Sequence, residues 1–239
     1  MDSRFTETSP VDLLTGLATT RAIRRYTDDP ISDEDLAAIL FAATRAPTGS
    51  NRNHFRFVVL RDGETAAEAK AVLGESFRSG WATKKLVDAY DDGTGTRDDS
   101  PKARMARTMN HFVDNFESTP VVVLPCIRKR HGGLGDGASI FPACQNLLLA
   151  ARALGYGGVL TMWHSPVEAE LRSVCGIPDD HAIAAVIPLG RPQGGHGPVR
   201  RRPIEELVFD GAWGHTADWI VEPADTRHTQ AGPPRNAAL

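Results

Sequence analysis

Cysteine is scarce in this chain, and its pattern excludes two classes of structure. Cys126, Cys144 and Cys175 are odd in number and far apart, and no CxxC pair occurs. A disulfide framework or a zinc site needs clustered ligands at characteristic spacing. The eight histidines are scattered as well, without an HExxH motif. We therefore expect neither a disulfide-stabilised fold nor a metal site.

Long apolar runs and strong charge are also missing. No apolar stretch approaches the roughly 20 residues that a membrane-spanning helix needs. The N-terminal segment MDSRFTETSP has neither the basic start nor the apolar centre of a signal peptide. The formal net charge is −3 and the basic residues form no long run, so there is no case for nucleic acid. These absences predict a cytoplasmic protein that binds neither membrane nor nucleic acid.

The common phosphate-binding and nucleophile motifs are absent too. There is no GxxxxGK[ST] loop and no GxSxG turn. The segment 132–138, GGLGDGA, contains a GxGxxA match that raises the possibility of a Rossmann dinucleotide site. Its separation from the strand ending near Leu124 is too long, and the next strand ends in Met162-Trp163-His164, where an acidic residue is needed. Both facts count against a Rossmann site.

What is present is an alternation of helical and strand-like segments. Apolar spacing and capping residues predict helices over residues 10–19, 32–46, 64–90, 102–117, 138–154 and 166–174. Apolar runs predict strands over 55–60, 120–124, 158–163 and 182–189. The strands are uniformly apolar, which is typical of a sheet covered on both faces. Residues 222–239 have the composition of a disordered tail.

Three polar clusters lie far apart in the sequence. The first contains Arg21, Arg24 and Arg25, the second is the loop 48–53 (TGSNRN), and the third is Arg200-Arg201-Arg202. Each by itself is consistent with an ordinary solvated turn, polar loop or basic linker. Together they suggest arginines for a phosphate and loop donors for a sugar-like chain and a heterocycle edge.

Four motifs in order then resemble those of the nitroreductase family of FMN-dependent oxidoreductases. The arginine-rich opening is TRAIRRY at 20–26, and the polar loop lies within APTGSNRNHFRF at 46–57. A helix reads ACQNLLLAARALGYG at 143–157, and LGRP at 189–192 is followed by RRPIEELV at 201–208. The resemblance covers roughly residues 15–215.

The resemblance implies a fold and an assembly. We expect an α+β nitroreductase-like fold with a central mixed sheet covered by helices on both faces, in an intertwined homodimer. Residues 1–221 would form a single FMN-binding domain with a lid segment at 88–117, and 222–239 the disordered tail. Phe112 and Phe116 would either line the lid or belong to the core.

The resemblance also implies a set of cofactor-binding residues. Arg21, Ala22 and Arg24 would meet the FMN phosphate from the N-terminal side, and Arg201 or Arg202 from the C-terminal side. The flavin would be lined by the polar loop, in part from the partner subunit, through Pro47, Thr48, Gly49, Ser50, Asn51 and Asn53. Lys85 would lie at the pyrimidine edge, and Leu160, Thr161 and Met162 would offer backbone N–H groups.

The sequence departs from the family pattern at positions that matter for the cofactor. Thr20 and Ala22 replace an arginine and a serine of the opening motif, and Asn53, His54 and Phe55 replace glutamine, proline and tryptophan. One charged contact and one hydroxyl to the phosphate are thereby lost. A protein that holds FMN without turnover is therefore an alternative to an enzyme.

The function implied is a ping-pong reduction in which the flavin carries the chemistry and no side chain acts as a catalytic acid, base or nucleophile. NADPH or NADH would reduce FMN, and a small aromatic acceptor such as a nitroaromatic or quinone would reoxidise it. Flavin-dependent dehydrogenation or dehalogenation is a further alternative. A modest, salt-sensitive NADPH preference is expected from cations near the lid, which are Lys84, Arg97, Lys102, Arg104 and Arg107.

Overall fold

The structure is a computed structural model that describes residues 11–130 and 132–228, and its centre is a five-stranded sheet. The strands are β1 Phe55–Leu60, β2 Val121–Arg128, β3 Gly157–Gly158, β4 His181–Ile183 and β5 Ile187–Gly190. The order is β1-β2-β5-β3, and β4 pairs with β2 beyond the end of β5. Every ladder between these strands is antiparallel, whereas we expected a mixed sheet.

In the described part of the chain, six α-helices surround the sheet. They are α1 Leu13–Thr19, α2 Asp33–Ala43, α3 Glu64–Val87, α4 Pro101–Asp114, α5 Gly133–Ala153 and α6 Glu168–Val174. The α+β class is thus confirmed. None of the helices in the described part of the chain has the length and apolar character needed to cross a bilayer.

The central strand β2 shows why the strands are uniformly apolar. Val122, Leu124 and Cys126 belong to a core cluster with side chains of α3, α4 and α6. Val121, Val123 and Ile127 alternate with them and pack against α2 and α5 on the opposite face. Successive strand residues point to opposite faces, so a strand covered on both sides has no polar position. The predicted two-sided coverage is confirmed.

The predicted N-terminal cap is observed for helix α2, whereas helix α1 begins at a different cap from the one predicted. Ser32 caps α2 as predicted, since its hydroxyl accepts a hydrogen bond from the backbone N–H of Asp35 at 3.1 Å. Helix α1 begins at Leu13, because the Asp12 carboxylate accepts from the N–H of Thr15 at 3.0 Å. The expected cap at Ser9-Pro10 lies outside the described residues.

The glycine cluster at 132–138 is part of a helix start. Helix α5 begins at Gly133, five residues before the predicted position, and Gly132 is its cap with a φ of 70°. Strands β2 and β3, which flank this helix in the sequence, are not neighbours in the sheet. A Rossmann site needs adjacent parallel strands, so the described fold does not contain one at this segment.

The predicted strand at 182–189 is divided in two by a bulge opposite Pro125. Ile183 pairs with Cys126 and Ile187 with Val123, so three residues of one strand face two residues of β2. Pro125 has no N–H to donate to the ladder, and an extra residue on the partner strand accommodates that gap. The predicted strand at 158–163 is likewise reduced to β3 and an isolated bridge between Thr161 and Val186.

Helix α4 belongs to the core although it lies in the predicted lid segment. Phe112 and Phe116 are 4% and 0% exposed, and both rings pack on Phe77 of α3. The core alternative for these phenylalanines is therefore correct. The segment between α3 and α4 contains only a short 3-10 turn at Gly93–Thr96.

The C-terminal region remains attached to the body well beyond β5. The N–H of Val199 donates to the carbonyl of Ala18 at 3.0 Å. Part of the predicted tail is also held in place, because Glu222 accepts a hydrogen bond from the N–H of Ile204 at 2.7 Å. Residues 229–239 of that tail lie outside the described residues.

Candidate functional site

The polar loop, with Pro47 now included as residues 47–53, has an unusual backbone. Ser50, Asn51 and Asn53 have φ values of 54°, 52° and 51°, in the left-handed region that non-glycine residues rarely occupy. Thr48 holds the loop in this shape: its carbonyl accepts from the N–H of Asn51 at 2.9 Å and its hydroxyl from the N–H of Asn53 at 3.0 Å. Such backbone strain costs on the order of 1–3 kcal/mol per residue and is concentrated at binding sites.

The loop displays its polar groups outward in the single chain. Pro47, Gly49, Ser50, Asn51 and Asn53 are exposed, and Thr48 is half-buried. The Ser139 hydroxyl of α5 accepts a hydrogen bond from the N–H of Gly49 at 3.2 Å, which fixes the loop against that helix. The loop is therefore fixed in position and exposed, and some of its polar groups bond within it, such as Nδ2 of Asn53, which donates to the carbonyl of Asn51 at 3.0 Å.

Two cavities border this loop. The larger, of about 740 Å³, lies between the end of α2 and the outer side of β1, and its lining includes Asn51, Asn53 and Phe57. The smaller, of about 280 Å³, lies between the loop and the start of α5. We call the smaller one the arginine pocket; its lining residues include Arg52, His54, Arg128, Arg130, Asp136 and Ser139.

Arg24 is the most notable residue of the N-terminal arginine cluster. It is half-buried, and no described residue forms a hydrogen bond or ion pair with its guanidinium. Burial lowers the pKa of Arg24, and Tyr26 and Tyr90 lie close enough to oppose that shift. The N–H of Ile23 donates to the carbonyl of Gly158 at 3.0 Å, which places the cluster beside β3.

The other members of this cluster are exposed. Arg21 and Ala22 face solvent, and the N–H of Arg21 lies 3.4 Å from Nδ1 of His196. Arg25 turns towards α4, where its guanidinium lies 3.4 Å from the carbonyl of Arg107. Of the three arginines, Arg24 alone combines partial burial with the lack of a described polar partner.

Lys85 is partly neutralised within its own chain. Its ammonium forms an ion pair of 3.1 Å with Asp91, and its side chain is 29% exposed. The carbonyl of Lys85 accepts from the N–H of Tyr90, the residue whose ring lies near Arg24. Lys85 thus adjoins the turn that carries Tyr90, one of the two tyrosines that oppose the lowering of the Arg24 pKa.

The segment 160–162 offers fewer backbone donors than expected. The N–H of Thr161 donates to Val186 at 3.0 Å and the carbonyl of Thr161 accepts from the N–H of Val186 at 2.8 Å. The N–H groups of Leu160 and Met162 have no partner among the described residues. The bridge to Val186 already uses the N–H of Thr161, so Leu160 and Met162 are the residues of this segment whose N–H groups are left for a ligand.

The segment before the C-terminal arginines runs beside the N-terminal cluster. His196 lies at Arg21, the N–H of Gly197 donates to the carbonyl of Thr19 and the N–H of Val199 to that of Ala18, so Arg201 and Arg202 follow at the Ala18 end of this run. Both arginines are exposed. Arg202 forms an ion pair of 2.7 Å with Glu206, and Arg201 donates to the carbonyl of Arg200 at 3.0 Å.

The predicted site residues therefore form two separate groups in one chain. The first group contains residues 21–24 and the segment 160–162, which follows the bond from Ile23 to Gly158; Lys85 and Arg201–Arg202 are assigned to it by the expected cofactor contacts and not by a described bond. The second is the loop 47–53, which contacts α5 and the end of β1 through Gly49 and Asn53. Among the described residues, no hydrogen bond or ion pair joins the two groups.

The arginine pocket was not predicted from the sequence. Arg128 and Arg130 follow β2, whereas Arg52 and His54 precede β1, more than seventy positions earlier. The antiparallel register that pairs Phe55 with Ile127 brings them together. The pKa of His54 is lowered, first by desolvation and then by the positive charges of Arg130, Arg52, Arg128 and Arg56. Only the pairing of β1 with β2 reveals this cluster.

Comparisons with known proteins agree with this fold and these motifs. The family model described as "Nitroreductase family" matches residues 17–191. A protein of Archaeoglobus fulgidus named as a putative NADH dehydrogenase/NAD(P)H nitroreductase is 29% identical over 180 residues, which are 73% of this chain and 82% of that protein. Iodotyrosine deiodinase 1 of Rattus norvegicus is 24% identical over 205 residues, 80% of this chain and 67% of that protein.

A solved structure shows the same fold. A point mutant of an FMN- and NADPH-dependent nitroreductase from a Sphingopyxis strain superposes with a TM-score of 0.65 at 20% identity. The match covers 85% of this chain and all 100% of that one. The nitroreductase-like α+β fold expected from the motifs is thereby confirmed.

Proposed function

Because the chain belongs to the nitroreductase family, we propose that it binds FMN and uses NADPH or NADH to reduce a small aromatic acceptor such as a nitroaromatic or quinone. The observation that carries this proposal is Arg24, a half-buried cation with no described anionic partner. A buried charge without a partner is costly, so a position of this kind is stabilised by a bound anion. The phosphate or the anionic reduced ring of FMN fits that requirement.

The residues of this chain would hold and orient the cofactor. Arg21 and Arg24 supply positive charge on the N-terminal side, and Arg201 or Arg202 supplies it on the C-terminal side. Lys85 shares its charge with Asp91, so its contribution at the pyrimidine edge is smaller than that of an unpaired lysine. Leu160 and Met162 supply the remaining backbone N–H groups. Bound FMN would supply the redox chemistry between the reduced nicotinamide and the acceptor, while these residues would hold and orient it.

The complete site would be built from two copies of the chain. The loop 47–53 is fixed and exposed, and it forms no described hydrogen bond or ion pair with the Arg24 side of its own chain. Apolar side chains that a monomer rarely leaves in water are also exposed, including Leu13, Leu14 and Leu17 of α1 at 68%, 75% and 50%. A homodimer covers such surface and lets the loop of one chain complete the site of its partner.

The experiment is to purify the full-length protein and measure flavin absorbance, FMN binding and turnover. We expect yellow protein, or protein that binds added FMN at micromolar concentration, and NAD(P)H oxidation that requires a quinone or nitroaromatic. Double-reciprocal plots at several acceptor concentrations should be parallel, as in a two-stage reaction. Protein that is colourless and does not bind added FMN would refute the proposal.

A second candidate is a protein that holds FMN without turnover. The loss of the arginine and serine of the opening motif favours it, because Thr20 and Ala22 stand there and Ala22 has no hydroxyl. The ion pair between Arg202 and Glu206 further reduces the charge left for a phosphate. Such a protein would bind FMN, and NADH or NADPH at physiological concentration would not bleach it. Reductive dehalogenation by the same site is separated by assaying halide release from a halogenated phenol.

A further inference from the structure

The arginine pocket contains more positive charge than the fold uses. Three arginines, Arg52, Arg128 and Arg130, line it together with a single carboxylate, that of Asp136, so the formal charge of the lining is +2 when His54 is neutral. Oδ2 of Asp136 accepts from the backbone N–H groups of Arg130 at 3.2 Å and Gly132 at 2.9 Å. That carboxylate oxygen is therefore bound to backbone donors near the start of α5.

Two of the three arginines have no carboxylate partner among the described residues. Arg52 is exposed and forms no described ion pair or side-chain hydrogen bond. The guanidinium of Arg130 has an imidazole as its described partner, with one nitrogen 2.7 Å from Nε2 of His54. Arg128 differs, because it forms an ion pair of 3.0 Å with Asp180. Arg52 and Arg130 are thus available for an anion.

The cations near the lid, from which a nucleotide preference was expected, are already engaged. Lys84 pairs with Asp88 at 2.6 Å, Arg107 lies 3.9 Å from Asp98, and Arg97 lies 4.0 Å from Asp99. Arg104 donates to the carbonyl of Asp99, and Lys102 lies over the ring of Tyr90. An incoming phosphate would have to displace these contacts, whereas the arginine pocket needs no such displacement for Arg52.

We propose that the arginine pocket binds the 2′-phosphate of NADPH, the group by which NADPH differs from NADH. The assignment rests on the proposed function, since the pocket shares Gly49 and Ser50 with the loop that would line the flavin. A phosphate monoester is recognised by arginine pairs through charge-assisted hydrogen bonds. The volume of about 280 Å³ is suited to a phosphate and its ribose, and is at the lower end for small-molecule sites.

The test is a binding measurement that does not depend on turnover. Adenosine 2′,5′-bisphosphate and adenosine 5′-monophosphate, which differ only in the 2′-phosphate, are titrated into the full-length protein saturated with FMN. We expect the bisphosphate to bind at least about tenfold more tightly, and Arg52→Gln or Arg130→Gln to remove about tenfold of that advantage, as for one lost charged hydrogen bond. Arg52→Lys keeps the charge without the planar fork and should lose less.

The control is Arg61→Gln, which removes an arginine from an ion pair with Asp33 outside the pocket and should leave the advantage of the bisphosphate unchanged. Equal binding of the two adenosine nucleotides by the wild type would overturn the assignment, as would an advantage that survives both Arg52→Gln and Arg130→Gln. Inorganic phosphate that binds as tightly as the bisphosphate, with the same dependence on Arg52, would assign the pocket to free anions and also overturn it.

The two proposals fail separately. If FMN is reduced by NADPH but the two adenosine nucleotides bind equally, the arginine pocket assignment is wrong and the reductase stands. If the bisphosphate is preferred in an Arg52-dependent way but no reduction occurs, nucleotide binding at the pocket stands and the reductase proposal fails.

Discussion

Arg24 is the residue on which the proposed cofactor site depends most. We predict that Arg24→Ala weakens FMN binding by about ten- to a hundredfold, because hydrogen bonds to charged groups contribute about 1.5–3 kcal/mol. Arg25→Ala is the matched control, since Arg25 turns towards the carbonyl of Arg107. Quenching of flavin fluorescence on titration gives both dissociation constants. Equal losses in the two variants would contradict the assignment.

His164 is a residue whose protonation should affect stability. It is 1% exposed, its Nε2 lies 2.7 Å from the carbonyl of Ile183, and its Nδ1 has no described partner. Desolvation lowers the pKa of His164 below its ordinary 6.5, although the Ile183 carbonyl and Glu168 partly oppose the shift. The unfolded chain therefore binds a proton before the folded chain does, and the free energy of unfolding falls as pH drops below about 6.5.

The corresponding measurement is urea unfolding at pH 7.5 and pH 5.5. The loss of stability from this histidine alone is at most about 1.4 kcal/mol per pH unit. His54 and His196 also have lowered pKa values and contribute with the same sign. His164→Gln removes one titrating group while retaining an N–H donor for Ile183, so its dependence on pH should be shallower. A variant with the same pH dependence as the wild type would show that His164 does not titrate as argued.

At the scale of elements, β3 joins the Arg24 segment to the sheet through two glycines. A Cβ on Gly158 would lie 2.6 Å from the carbonyl oxygen of Pro188, and the carbonyl of Gly158 accepts from the N–H of Ile23. We predict that Gly158→Ala destabilises the protein by about 1–3 kcal/mol, as overpacked sites do, and weakens FMN binding as well. Gly195→Ala is the control, because a Cβ there meets nothing within 4 Å. Thermal melts that do not separate the two variants would contradict the prediction.

Some secondary-structure elements can be predicted from the sequence to the residue, and others cannot. Strand β1 and the start of α2 were located to the residue, because a continuous apolar run and a serine cap are local signals. The bulge opposite Pro125 and the early start of α5 were missed, since both depend on neighbours distant in sequence. The sheet was expected to be mixed, and the direction of strand pairing is a long-range property that apolar runs do not encode.

The candidate site was predictable to a similar extent. The motifs identified the polar loop and the arginine clusters, but not the backbone of Ser50 and Asn51, for which the sequence has no glycine signal. The sequence also does not predict the hydrogen bond from Thr161 to Val186 or the ion pair of Lys85 with Asp91. Each joins residues that only folding brings together. The arginine pocket likewise requires the register of β1 on β2.

At the scale of the whole molecule, the two separate groups of site residues predict complementation between defective chains. Homodimers of Arg24→Ala and homodimers of Asn51→Ala should both bind FMN poorly. After the two chains are mixed, unfolded and refolded, random pairing in a symmetric dimer should restore about a quarter of the wild-type sites. Flavin bound per dimer, measured after gel filtration, gives the result.

The control for complementation is a mixture of Arg24→Ala with Arg24→Gln. Both variants change the same residue, so no pairing of these two chains creates an intact site. A recovery equal to that of the first mixture, or no recovery in either, would contradict a site built from two chains.

The most direct test of the central claim is anaerobic mixing of the FMN-loaded full-length protein with NADH and, separately, with NADPH. We predict that the flavin absorbance is bleached within the time of one turnover, faster with NADPH, and returns when a quinone is added without oxygen. A flavin that stays oxidised with both nucleotides at physiological concentration would refute the reductase and identify a protein that only holds FMN.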